Sequence, residues 1–300
     1  MVGPALRLGV AVVAASFSGP ILRWADGPPL TLASGRMLLA FLIALGPALA
    51  VFGRGGLGAT GIDRRVAVPM LVATAALAIH FGAWTASLYH TSVASAAVLV
   101  NAHPILVLAA EALLWRQAVN RRQWLGSIVA LAGMAVLAGF DGLSLGAGAL
   151  WGDILSFVGA ATYAVYVLAS ARVRTQVPTA VQVAVLYSGC LVLLGAATLA
   201  EGQRWPSPLV SPHLWLAFLL MAIIPTTLGH TLVQSILDRV RPGVISIALL
   251  AEPVGAGLLA WLMLGQVPSA TDVLGGIVTL AGIALALWPT GEPAAAAVVP

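Results

Sequence analysis

The sequence predicts an all-α membrane protein of ten transmembrane helices, built as two inverted five-helix repeats around a central cavity. Three observations predict it. The first is composition: of 300 residues 60% are apolar and 8% charged, with a mean hydropathy of +1.02. A soluble domain carries about 25% charged residues because its surface must face water. The second is patterning. The apolar residues fall into runs of about 17 to 24, the length that crosses ~30 Å of hydrocarbon as helix. A period of two is absent, which argues against a membrane barrel. The third is an internal repeat at an offset of 149 residues: Pro104 meets Pro253, Gln117 meets Gln266, Leu125-Gly126 meets Leu274-Gly275, and Leu131-Ala132-Gly133 meets Leu280-Ala281-Gly282. From Ala102 to Ala135, twelve of thirty-four positions are identical without a gap.

The elements follow in order. Arg7 precedes an apolar run as in a signal peptide, but the run continues to Trp24 without a cleavage pattern, so Leu6–Trp24 reads as the first span. Asp26-Gly27-Pro28-Pro29 turns the chain into a second, Leu30–Phe52, with Arg36 placed near its outer end, where it snorkels. Arg54-Gly55-Gly56 precedes the third, Val66–Tyr89. The fourth, Val93–Trp115, is one apolar helix bent at Pro104, and a basic hinge from Arg116 to Arg122 leads to the fifth, Gln123–Gly139. Asp141-Gly142 separates the halves. The sixth to eighth spans are Leu150–Ala171, Thr179–Ala200 and His213–Leu237, the last reached through the longest loop, Gly202 to Pro212. Arg239 to Gly243 leads into the ninth, Val244–Leu264, and the tenth is Asp272–Trp288. Trp24, Trp124, Trp151, Trp205 and Trp288 lie at span ends as an interfacial belt. Nothing would order the tail, residues 290–300.

All fourteen basic residues are Arg. With the N-terminus inside, eleven of them fall in or beside cytoplasmic loops and only Arg23, Arg36 and Arg204 outside. That bias places both termini in the cytoplasm and the protein in the cytoplasmic membrane. The sequence pI near 10.0 does not point to nucleic acid, because the Arg residues are scattered over short loops. The lone Cys190 excludes an internal disulfide.

Five spans per half is an odd number, so the second half enters the membrane upside down. The halves are residues 1–140 and 150–289. An inverted repeat gives two interconvertible arrangements around a midplane site, the logic of a secondary transporter. The plainer reading is duplication as a route to a larger membrane protein.

Charges and polar groups at mid-membrane are the costly ones, at ~3 kcal/mol or more on insertion scales. His103 and Glu252 sit at mid-span, occupy repeat-equivalent positions, and each precedes a Pro that frees a backbone carbonyl. Asn101 is close by. They read as substrate-contacting or protonatable groups, or as a structural contact between the halves. His80 and Trp84 share a helical face, as do His230 and Gln234. Either cavity lining or interhelical hydrogen bonding accounts for them. Tyr163 and Tyr166, three apart, are further cavity candidates, with packing as the alternative. Ser16 and Ser18 read as packing residues or cavity groups. Glu111, near the inner boundary, reads as a gate or ion-pair residue.

Pro29 to Arg36 (Pro-Leu-Thr-Leu-Ala-Ser-Gly-Arg), Tyr89-His90-Thr91-Ser92-Val93-Ala94-Ser95-Ala96-Ala97, and the Pro104 helix with Gly126 and Gly133 all match a known pattern, as do their counterparts Pro253, Gly275 and Gly282. On these residues the chain resembles the EamA-type carriers of the drug/metabolite transporter superfamily over nearly its whole length. The resemblance implies ten helices in two inverted halves with both termini inside. It also implies transport of amino acids, metabolites or drugs, often with proton coupling. The chain departs from the family in one respect. Relatives commonly end the fourth and ninth helices with Gly-Glu, where this chain has Arg116-Gln117 and Gly265-Gln266.

The function expected is alternating-access transport of a small polar or amphipathic metabolite, an amino acid or analogue, with export favoured and protons as a candidate coupling partner. The lipid bilayer is the other partner, and no cofactor, resident metal or nucleic acid is expected. The alternative is an intramembrane metal-dependent enzyme using His80, His103, His230 and Glu252, though no HExxH pattern accompanies them. A channel would need a filter loop or charged ring, and a primary pump would need a Walker sequence. Neither is present.

Overall fold

A computed structural model describes residues 3–53, 63–87, 89–139 and 147–288. Their regular structure is helical throughout. Asp141-Gly142, Arg54-Gly55-Gly56 and the tail 290–300 lie outside the described residues.

Nine helical stretches among the described residues are long and apolar enough to span a membrane. The remaining helix of the ten, the fifth span Arg121–Leu137, has 17 residues. The repeat is visible in the boundaries. The fourth span consists of Val93–Val100 and His103–Leu113, and the ninth of Pro242–Leu249 and Glu252–Leu264. The fifth span, Arg121–Leu137, pairs with the tenth, Ala270–Leu287. Every one of these starts differs from its counterpart by 149. The packing has the same symmetry. The third span (Arg64–Ser87) packs on the sixth (Ala147–Val173), as the first (Pro4–Ala25) packs on the eighth (Pro212–Ile236). The fourth packs on the sixth, as the first does on the ninth. The second (Pro29–Gly53) meets its own mate, the seventh (Thr179–Ala200), and the fifth meets the tenth.

The fourth and ninth spans are not merely bent. Each is broken into two helices, at Asn101-Ala102 and at Leu250-Ala251. Pro104 and Pro253 are the second residues of the following half-helices. A proline ring excludes the carbonyl four residues back, here that of Val100 and of Leu249, and lacks the N–H that would bond it. Pro20 acts alike on the first span, which divides at Phe17. In the eighth span, expected as plain α-helix, Ala222–Thr231 is π-helix around Pro225. The wider turn makes room for the ring. The Thr226 and Thr227 hydroxyls donate to the carbonyls five residues back, Met221 and Ala222, each at 2.8 Å.

The fourth and ninth spans end alike as well. The Gln117 amide donates to the Glu111 carbonyl at 3.0 Å, and the Gln266 amide to that of Ala260 at 3.4 Å. That closure needs a left-handed residue just before it. Gly265 supplies it at φ 68°, and Arg116 adopts it at φ 51° despite its Cβ.

The fifth and tenth spans cross through glycine. A side chain at Gly126 would strike the Gly282 carbonyl, and one at Gly133 the Gly275 carbonyl, with the reverse contacts equally close. Small residues let backbones approach in lipid, where no hydrophobic effect drives helices together. Gly133→Leu is expected to destabilise the protein by about 2–3 kcal/mol. Gly46→Leu, where a Cβ meets nothing within 4 Å, should change stability by under ~0.5 kcal/mol. Thermal unfolding of the two variants in detergent checks the difference.

Candidate functional site

The helix breaks converge on one cavity of about 330 Å³. Seven spans line it. Among the described residues the fifth, seventh and tenth contribute none to the lining. Its size suits a small metabolite, at the low end of ligand pockets.

Seven of the nine residues expected from sequence line this space: His80, Trp84, Asn101, His103, Tyr163, His230 and Glu252. His103 starts the second half of the fourth span, and its Nδ1 lies 3.2 Å from the Val100 carbonyl, one of those the prolines strand. The imidazole thus donates where the helix cannot. Its Nε2 is buried with no partner among the described residues. His80 Nδ1 donates to the Gly159 carbonyl at 2.8 Å, which ties the third span to the sixth and leaves Nε2 as the free ring nitrogen. Asn101 caps the first half-helix by donating from Nδ2 to the Ala97 carbonyl at 2.9 Å.

The rings form a continuous wall. Tyr163 sits 4.4 Å from His103 and 5.2 Å from His80, centroid to centroid. Phe81 continues it, 5.2 Å from His80 and 5.7 Å from His230. These are ordinary tilted and edge-on aromatic spacings. Tyr166 and Gln234 do not line the cavity. Both are fully buried behind the wall, where Gln234 Nε2 donates to the Tyr166 hydroxyl. Tyr166 backs Tyr163 at 5.6 Å. The i, i+4 spacing of His230 and Gln234 put both on one side of the eighth span, but in the α-helical turn Leu232–Ile236 it is Val233 that lines the cavity, while Gln234 bonds Tyr166 behind the wall.

Sequence reasoning misplaced Arg36. It does not snorkel outward. It lies 3% exposed and lines the cavity, with its Cζ 4.3 Å above the Phe81 ring. A signal was available: Arg36 follows Pro29 by seven residues, which puts it ~10 Å into the span at 1.5 Å per residue. Ser18, read from sequence as a packing residue or a cavity group, lines the cavity, as do Phe81 and Gly19, which carried no sequence signal. Ser16 does not line it; its hydroxyl donates to the Val12 carbonyl at 2.9 Å. Among the described residues no three His, Cys, Asp or Glu side chains are placed to hold a metal ion. The metal-dependent alternative has no ligand set there.

Glu111 forms an ion pair away from the cavity. Its carboxylate is fully buried, accepts from Arg241 Nη2 at 2.8 Å and from the Gly243 amide at 2.9 Å. The repeat explains why. Val93–Val100 is capped by its own Ser92, whose hydroxyl accepts from the Ser95 amide at 3.0 Å. The equivalent position before Pro242–Leu249 is Arg241, which has no acceptor, so Glu111 caps that helix from the fourth span. A side chain at Gly243 would strike the Glu111 carboxylate.

Three comparisons bear on this architecture. The family model described as "EamA-like transporter family" matches residues 5–139 and again 150–288. A curated relative from Bacillus subtilis (strain 168), named "Uncharacterized transporter YdfC", is 22% identical over 192 residues. That match covers 63% of this chain and 60% of the relative's length. A solved protein crystal structure superposes with a TM-score of 0.80 at 20% identity, covering 95% of this chain and 96% of the other, so the two share a fold.

The buried ion pair makes a stability prediction. Arg241→Ala leaves the Glu111 carboxylate buried and half unpartnered, and is expected to cost about 3 kcal/mol. Arg65→Ala removes a 4.0 Å pair with Asp63 whose side chains are 90% and 66% exposed. It should cost under ~0.5 kcal/mol. Unfolding midpoints of the two variants in one detergent provide the comparison.

Proposed function

The chain belongs to the EamA-like transporter family, and on that premise we propose that it is a secondary transporter moving a small polar or amphipathic metabolite, an amino acid or analogue, by alternating access. The observation that carries the reading is the cavity at the paired helix breaks. Each half contributes one broken span to it, so a rocking of one half against the other exposes the same residues to either side. The two halves, residues 1–140 and 150–289, are the moving bodies. The cytoplasmic membrane is the location and both termini are cytoplasmic, on the distribution of Arg over the loops. In that orientation the Glu111–Arg241 pair closes the cytoplasmic end. The direction proposed is export.

Seven residues contact substrate in this reading: His80, Trp84, Asn101, His103, Tyr163, His230 and Glu252. Tyr166 and Gln234 hold Tyr163 in place. Glu252 makes no hydrogen bond or ion pair among the described residues and opens to the cavity, which suits a group that meets a cationic substrate or carries a proton. Gln117 and Gln266 replace the acids common in relatives, so proton coupling, where it occurs, runs through Glu252.

The test is purified protein in liposomes, assayed for counterflow of labelled amino acids with and without a proton gradient. Saturable exchange is expected, and Glu252→Gln and His103→Ala should each reduce it about tenfold or more while the protein still folds. Efflux from preloaded cells checks direction. Absence of exchange for every metabolite tested, together with a stoichiometric bound metal, would replace transport with the enzyme reading.

A further inference from the structure

Among the described residues Arg36 is the one buried Arg of the cavity wall, and its surroundings do not neutralise it. Nε and Nη2 are buried with no partner among the described residues. The guanidinium rests on the Phe81 face, which fixes its direction but supplies no hydrogen-bond acceptor. Glu252 lines the same cavity and yet forms no ion pair with it. A charge this deep in a bilayer is costly unless something pairs with it, and a planar guanidinium with free N–H groups matches a carboxylate in two-pronged fashion.

The broken helices add to the deficit of negative charge. Both second halves, His103–Leu113 and Glu252–Leu264, begin at the cavity, and a helix start carries about half a positive charge. In the ninth span Glu252 offsets that charge in the first turn. In the fourth span the equivalent residue is His103, so that helix start and Arg36 both face the cavity without an anion.

We propose that Arg36 receives the carboxylate of the transported solute and Glu252 its ammonium group. Arg36 is then the residue that selects for a carboxylate. The side chain of the solute lies along the wall of Phe81, Tyr163 and His103. This rests on the transport reading, which named an amino acid or analogue but assigned its carboxylate to no residue and did not involve Arg36.

The experiment uses the full chain in liposomes. The twenty amino acids are screened for counterflow, and each one exchanged is then competed with its amide, its decarboxylated amine and its deaminated acid. Unfolding midpoints in detergent are measured with the same compounds. Wild-type protein should prefer the amino acid over its amide and amine by about tenfold or more, the loss of one charge-assisted pair. Arg36→Gln should abolish that preference, and Arg36→Lys should retain part of it. An amide or amine that competes as well as the acid overturns the assignment, as does an Arg36→Gln variant that keeps the preference. The wild-type comparison needs no variant, so a variant that fails to fold leaves the test standing. Exchange confined to solutes without a carboxylate overturns the assignment and leaves transport intact. No exchange, with midpoints raised by amino acids and not by their amides, upholds Arg36 and overturns transport. No exchange and no midpoint shift overturns both.

Discussion

In hydrocarbon a backbone group has no water to bond with, so a helix can be broken only where something else faces the gap. This fold breaks helices at Pro20, Pro104 and Pro253, widens one into a π-helix at Pro225, and uses each irregularity to build one cavity. Ser18 and Gly19, His103, Pro225, and Glu252 with Pro253 all line it. The stranded carbonyls are met locally: His103 donates to Val100, and the Thr226 and Thr227 hydroxyls donate into the wider turns of the π-helix. The cavity therefore follows from the need to place irregular backbone away from lipid.

The inverted repeat supplies two copies of each device, and the chain has altered one copy in each pair. His103 and Glu252 occupy equivalent positions with different chemistry, one a donor to its own helix and the other an acid open to the cavity. Ser92 caps its helix locally, whereas Arg241 at the equivalent position requires Glu111 from another span. Gly265 takes the left-handed turn at little cost, and Arg116 takes the same turn with a side chain. Symmetry gives the scaffold its two-state geometry. The departures from it give the cavity a charge pattern and tie the fourth span to the start of the ninth through Glu111.

Much of the fold was legible in sequence. Apolar run lengths and the 149-residue offset located ten spans, and the helix boundaries shifted mainly by a few residues. Most of the site was legible too, because polar residues at mid-span are rare enough to be noticed one by one. The misreadings share a cause. Arg36 was read as a span-end residue although it follows Pro29 by seven residues, and its rotation about the helix axis was invisible. Gln234 was placed by its spacing from His230, and which neighbour each side of that helix meets was invisible: Val233 took the cavity side and Gln234 the Tyr166 side. The fourth and ninth spans were read as bent because a Pro signals a kink, while the size of the gap depends on what is packed against it.

The sequence by itself determined that this chain lives in a membrane, that it crosses ten times in two related halves, and that His103 and Glu252 are partners by descent. Those conclusions rest on composition, length and self-comparison, which are properties of the chain alone. Only the tertiary structure decided that Arg36 and Glu252 share a cavity without pairing, that Phe81 carries the guanidinium, and that Tyr166 and Gln234 stand behind the wall. These depend on which side of each helix faces its neighbours. In a chain so uniformly apolar, one face of a helix looks much like another until the helices are packed.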